Sequence, residues 1–425
     1  MRFTDAFTKI WRVIKRWSLL LMATLLLGGS GLNVHDVVDR TRLFTRSVEF
    51  NYLGWTIEAT CEKLSQLSLH PAAYAGEAER VQLVFDYLEL LRSAQQSERE
   101  VQEAMGDPDA DQASSALQEH QKDLENIREQ LSQLRPPAES ILQEQVAIVV
   151  ADMGLELGGA PFPPVLFTFD PLPSALIVSP REVIRQIANI TLNVDLALER
   201  KVKLEGGVEE SLDVSALVVP VGGMGTYPTM VQETTTLTWI VEVIGHEWIH
   251  NYLSLRPLGM NYFTNAELRT MNETAASLMG KAIGWEVIRR YYPALLPAET
   301  VSTSSESETD PPAFDFRKEM HETRVRADAL LEAGEIEAAE RYMEARREFF
   351  WEHGYRIRRL NQAYFAFHGA YADVPGGAAG DDPVGKAVRA LWEHSPSPAD
   401  FLRKMAWMND YADLLAALEG LATIR

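Results

Sequence analysis

Apolar residues recur at helical spacing over long parts of the chain and at strand spacing in one middle zone. "VQLVFDYLELL" (81–91) and "LENIREQLSQL" (124–134) carry an apolar stripe of period 3.6, separated by a polar stretch containing the turn signal "GDPDAD". They predict a long helical hairpin within 34–135, and "RPPAES" (135–140) marks its end. From 136 to 298 the pattern changes. "PVLFTF", "ALIVSP" and "SALVVPV" are short β-prone runs bounded by Pro, Asp and Ser, which predict a small sheet. Between them "PREVIRQIANITLNVDLALER" (180–200) reads as a helix, and two further helices follow the sheet. An acidic, Ser-rich loop fills 299–312, and a helical subdomain, broken at "VPGGAAGDDPVG", occupies 313–425. The predicted class is α+β, mostly helical.

The N-terminus has a different pattern. Arg2, Lys9, Arg12, Lys15 and Arg16 precede an apolar run from Trp17 to Leu32, with Asp5 the lone acid among them. That charge bias keeps the N-terminus in the cytoplasm and places the rest outside. The run favours an uncleaved membrane anchor over 1–33. Its sixteen residues are short for a span, and its small residues also suit a cleaved signal, which would make the protein secreted. A soluble amphipathic start is the third alternative.

Composition narrows the chemistry. Of 425 residues 46% are hydrophobic and 24% charged, as in a folded protein. The net charge of −21 repels phosphate backbones, so nucleic acid is not an expected partner. One cysteine, Cys61, excludes an internal disulfide framework and a cysteine-based metal site. There is no G-x-S-x-G elbow and no phosphate-binding G-x-x-x-x-G-K-[ST] loop.

"WIVEVIGHEWIHNYLSLRPLG" (239–259) raises the sharper question. In a helix His246 and His250 share one face, at the spacing that lets two imidazoles hold one Zn²⁺. Glu247, about 100° round the helix, can reach a water at that metal without being a ligand. Burying these polar groups among Ile240, Val241, Ile244, Trp248 and Ile249 is costly unless a partner satisfies them. The next helix, "TNAELRTMNETAASLMGKAIGWEVIRRYY", starts at a Thr264–Glu267 capping box and carries Glu273, 23 residues after His250. Its stripe Ala276, Gly280, Gly284 allows close approach of another helix. Glu273 is the expected third ligand, with Glu267 the competitor.

The pair "HEWIH" and "NETAA" resembles the gluzincin metallopeptidases, and the segment order resembles bacterial membrane-attached predicted aminopeptidases, with "RRLNQAYFAFHGAYADVP" (358–375) as a weaker match. The resemblance covers about 180 residues from Trp239 onward. The chain lacks a lipobox cysteine after the apolar run. The resemblance implies zinc held by His246, His250 and Glu273, with Glu247 as general base in the hydrolysis of a peptide or protein substrate. It also implies a Tyr or His from the downstream helices as second electrophile: Tyr364, His368 or Tyr371, unless these only pack the core. It places a substrate-pairing edge strand at "VVPVGGMGTYPT" (218–229), where Gly222, Gly223 and Gly225 permit close approach or simply form a turn. The acid that anchors a free N-terminus in known aminopeptidases is missing from this run, leaving Glu233, another domain, or an enzyme of another mode. The competing function is a non-catalytic membrane-anchored scaffold with a degenerate or structural metal site.

Overall fold

The computed structural model describes residues 36–69, 75–106, 115–296 and 314–422. The expected anchor over 1–33 and the acidic loop 299–312 lie outside them. No described helix is long and apolar enough to cross a membrane. The fold is α+β and mostly helical.

Helices α1 (Val37–Thr45), α2 (Tyr52–Leu69), α3 (Glu77–Gly106) and α4 (Ser115–Asp152) come first. α3 and α4 pack along one another as the expected hairpin. α4 does not end at "RPPAES": it runs through Pro136 and Pro137 to Asp152. Proline removes a helical N–H donor and costs about 3 kcal/mol in a helix interior. Beyond the two prolines, however, Ala138, Ile141, Leu142, Val146, Val149 and Val150 are all fully buried. At roughly 1.5–3 kcal/mol for each large side chain, that burial outweighs the loss. The second arm is thus a core helix and no element break falls at 135.

A two-residue ribbon, β1 (Glu156–Leu157) with β2 (Ala160–Pro161), leads into β3 (Phe167–Phe169) and β4 (Ser174–Pro180). The stretch expected as one helix over 180–200 instead forms β5 (Ala188–Leu192), with α5 (Leu198–Leu212) beginning only near its end. Ala188, Ile190 and Leu192 face inward at period two while Asn189 is exposed, a strand pattern that the longer window averages away. β6 (Val214–Pro220) follows, then β7 (Gly223–Met224) and β8 (Thr229–Val231). One sheet is antiparallel in the order β5-β4-β6; the other runs β3-β8-β7, with β3 parallel to β8 and β7 on the edge.

Two helices then cross the centre: α6 (Leu237–Ser254) and, after the single turn α7 (Pro257–Met260), α8 (Ala266–Tyr291). The C-terminal part contains α9 (Phe316–Glu332), α10 (Ile336–Glu352), α11 (Gln362–His368), α12 (Pro383–His394), α13 (Pro398–Ala406) and α14 (Tyr411–Ala422). α12 to α14 share the main core with α3, α4, α6 and α8. α9 and α10 form a smaller core with Phe365 of α11, and the other side of α11 packs on β4 and β6.

Candidate metal centre

α6 is buried on most sides through Ile240, Val241, Ile244, Trp248, Ile249 and Leu253. α8 begins at Asn265, whose side chain accepts from the Leu268 N–H, so Asn265 and not Thr264 is the cap. The two helices approach closely because glycines replace side chains at the contact. A Cβ at Gly280 would lie 2.9 Å from the His246 backbone nitrogen, and one at Gly284 2.9 Å from Glu242 Cα. Gly245 of α6 sits against Ile283 in return. The small-residue stripe of the sequence is therefore the seam that sets Glu273 opposite the histidines.

His246 Nε2 and His250 Nε2 are 3.0 Å apart, and Glu273 Oε2 lies 3.6 Å from the first and 3.5 Å from the second. Asn272 Nδ2 reaches Leu258 O, which turns its Oδ1 to accept from His250 Nδ1–H at 2.8 Å. The His250 Nε2 lone pair then points at the other two donors. Glu273 Oε2 is buried without a hydrogen-bond partner. Three electron-pair donors converging on one point repel one another unless a cation sits among them. Their separations match the roughly 3.3 Å edge of a tetrahedron with ligand bonds near 2 Å. These residues fit a metal ion. Without one, burial pulls the His250 imidazolium down but the adjacent Glu273 carboxylate more than offsets this, raising it to about 9. Burial raises the Glu273 carboxyl, and the two histidines outweigh that to hold it well below its usual range.

Glu273 Oε1 is held by the Tyr262 hydroxyl. Arg269, buried one turn before Glu273, donates to the Ala366 carbonyl and so ties α8 to α11. Asn272, Tyr262 and Arg269 were not among the residues expected at the site. Asn272 could have been found from its place beside the ligand; Tyr262, in the α7–α8 connection, leaves no local pattern. Glu267 is exposed on the surface at the start of α8 and is not a ligand.

Glu247 is buried beside the histidines, and burial raises its carboxyl above the usual range against their opposing pull. It lines a cavity of about 390 Å³ with His246, His250, Glu273, Tyr371, Gly223 of β7 and Gly225 just after it. Gly223 and Gly225 let β7 lie directly on α6: a Cβ at Gly223 would be 2.5 Å from Glu247 Oε1, and one at Gly225 3.0 Å from His250 Cβ. Gly222 packs on Trp239. The close approach these glycines permit is thus to the helix bearing the site, on the edge strand of its sheet.

Of the three downstream candidates, Tyr371 reaches the cavity, its ring stacked on His246 at 6.2 Å. The residue keeps 37% of its surface exposed, but desolvation of its hydroxyl at the cavity, with Glu273 nearby, raises it well above the usual range, so it stays a proton donor. Tyr364 and His368 lie on the α11 side against one another, with ring centroids 4.3 Å apart, and neither lines the cavity. Tyr364 packs into two cores. Burial, with Arg269 nearby, lowers the His368 imidazolium to about 4. Glu233 accepts from the Tyr87 hydroxyl and does not line the cavity either.

Neither a family model, nor a curated protein, nor a solved structure matches this chain.

Proposed function

We propose that this protein is a zinc-dependent metallopeptidase of the gluzincin type. One observation carries the reading: His246, His250 and Glu273 converge on one point while Glu247 faces the same cavity. Zinc, when bound, supplies Lewis acidity toward a carbonyl and toward water. Glu247 accepts a proton from the attacking water and passes it to the departing amine. Burial raises its carboxyl above the usual range, which favours its holding the transferred proton. Tyr371 donates a hydrogen bond to the oxygen on which charge develops. Asn272 and Tyr262 hold His250 and Glu273 in register. β7 offers the unpaired side of its strand to the substrate backbone.

Among the described cavity-lining residues, Glu247 and Glu273 are the acids. Both have other roles, and Glu233 is committed to Tyr87. That favours cleavage within a chain over removal of N-terminal residues. The expected anchor would place this activity outside the cytoplasm, at the membrane.

The deciding experiment measures metal content and hydrolysis of blocked and free peptides by the protein, with Glu247→Gln and His246→Ala/His250→Ala variants alongside. We expect close to one zinc per chain in the parent and in Glu247→Gln, none in the double variant, and hydrolysis by the parent alone. Folded parent protein without metal or hydrolysis would give way to the scaffold reading.

A further inference from the structure

A second, larger cavity of about 750 Å³ adjoins the metal cavity; Asn189, Tyr262, Phe263 and Arg269 line both. Asn189 belongs to β5, which pairs with β4 on one side. The other edge of β5 is half covered. The Phe50 N–H donates to Thr191 O and the Asn193 N–H to Val48 O, an antiparallel bridge between Glu49 and Leu192. Backbone groups on a strand alternate sides with period two, so Asn189 directs its N–H and C=O to the same edge as Thr191 and Asn193. The far strand confirms the phase: Ala216 and Val218 turn their amides outward to Glu209 and Glu205. No described strand covers the β5 edge at Asn189, and there the two cavities meet. Phe263 lines both cavities with 83% of its surface exposed, its ring edge-on to Tyr262 at 4.8 Å.

We infer that the free edge of β5 at Asn189 binds an extended polypeptide as an added strand, carrying it from the metal cavity into the larger cavity against Phe263. This deepens the peptidase reading and rests on it for the identity of the occupant. The chain's own residues 48–50 already pair on this edge, so it accepts a strand. The occupant continues in their line. The cleft past Phe263 has room for several residues beyond the metal, so the substrate is a polypeptide segment rather than a dipeptide.

The test reads binding rather than turnover, so that it stands even if hydrolysis is never observed. Fluorescent peptides of two to ten residues are titrated onto the Glu247→Gln protein by anisotropy. Affinity is expected to rise with length until the larger cavity is filled. Methylation of single peptide nitrogens is expected to weaken binding about tenfold at alternate positions, the loss of one strand hydrogen bond each. On the protein side, Asn189→Pro removes the outward N–H, a change an edge strand tolerates. It is expected to bind about tenfold more weakly than Asn189→Ala, which keeps the backbone donor. If Asn189→Pro does not fold, the methylation series, which leaves the protein untouched, decides alone. Affinity independent of length, a methylation profile without the two-residue period, or equal binding by the two folded variants overturns the inference. So does self-association of the protein through this edge at the concentrations used. Length-dependent, periodic binding without hydrolysis by the parent would uphold this site and reject the peptidase.

Discussion

At the scale of single residues, the site depends on groups that are absent as much as on groups present. Gly223 has no side chain, and the Glu247 carboxylate and Val243 occupy the space one would need. Gly223→Ala must push β7 away from α6 or turn Glu247 aside. We expect the zinc content of this variant to match the parent, because its clash is with Glu247 and not with a ligand. Its kcat should fall by about tenfold to a hundredfold, since misplacement of a catalytic group by about 1 Å has that effect. Peptide kinetics with metal analysis checks both. The sequence showed the glycines and HExxH separately. Which glycine meets which side chain depends on how a strand lies on a helix, and no local pattern encodes that.

The helix pair is the element-scale unit. α6 and α8 were legible because each is long, α8 opens on a cap signal, and each is stopped by a proline shortly beyond its end. The seam was legible too, as Ala276, Gly280 and Gly284 at four-residue spacing. Gly280→Ala would place a methyl 2.9 Å from the Glu242 carbonyl and the His246 nitrogen, both backbone atoms that cannot turn aside. The helices must separate, at a cost of about 1–3 kcal/mol. Urea unfolding should show that loss, and zinc should be held more weakly because Glu273 moves away from the histidines. Unchanged stability with full zinc affinity would mean that the seam yields elsewhere. Two elements misled the sequence reading for physical reasons. β5 is five residues inside a window with mixed periodicity, and its strand character comes from pairing with β4. α4 survives two prolines because tertiary burial overrides local propensity.

For the whole molecule, the C-terminal helices complete the site rather than forming a detached unit. Tyr371 stacks on His246, and Arg269 bonds the Ala366 carbonyl. His368 lies behind this contact, its imidazolium lowered from 6.5 to about 4 by burial and by Arg269. The unfolded chain therefore binds a proton between these values that the native state refuses. Stability is complete above about pH 6.5, falls as the pH drops towards 4, and loses nothing further from this group below that. The total is roughly 3 kcal/mol. Urea midpoints of the parent and His368→Phe between pH 7.5 and 4 should converge from the acid side, with the variant's profile the flatter. Parallel profiles would assign the acid sensitivity to other groups.

The sequence by itself determined the helical elements around the site, the pairing of His246, Glu247 and His250 on one helix, and Glu273 as the acid of the next. These follow from a period of 3.6 residues, end signals and a short connection, all local. Tertiary structure decided the rest: Tyr371 over Tyr364 and His368, β7 against Glu247, Tyr262 on Glu273, and the open edge at Asn189. Tyr262 lies eleven residues from Glu273 and meets it through the way the connection folds back; the others join segments far apart in the chain, whose contacts exist only once the shared core has brought them together.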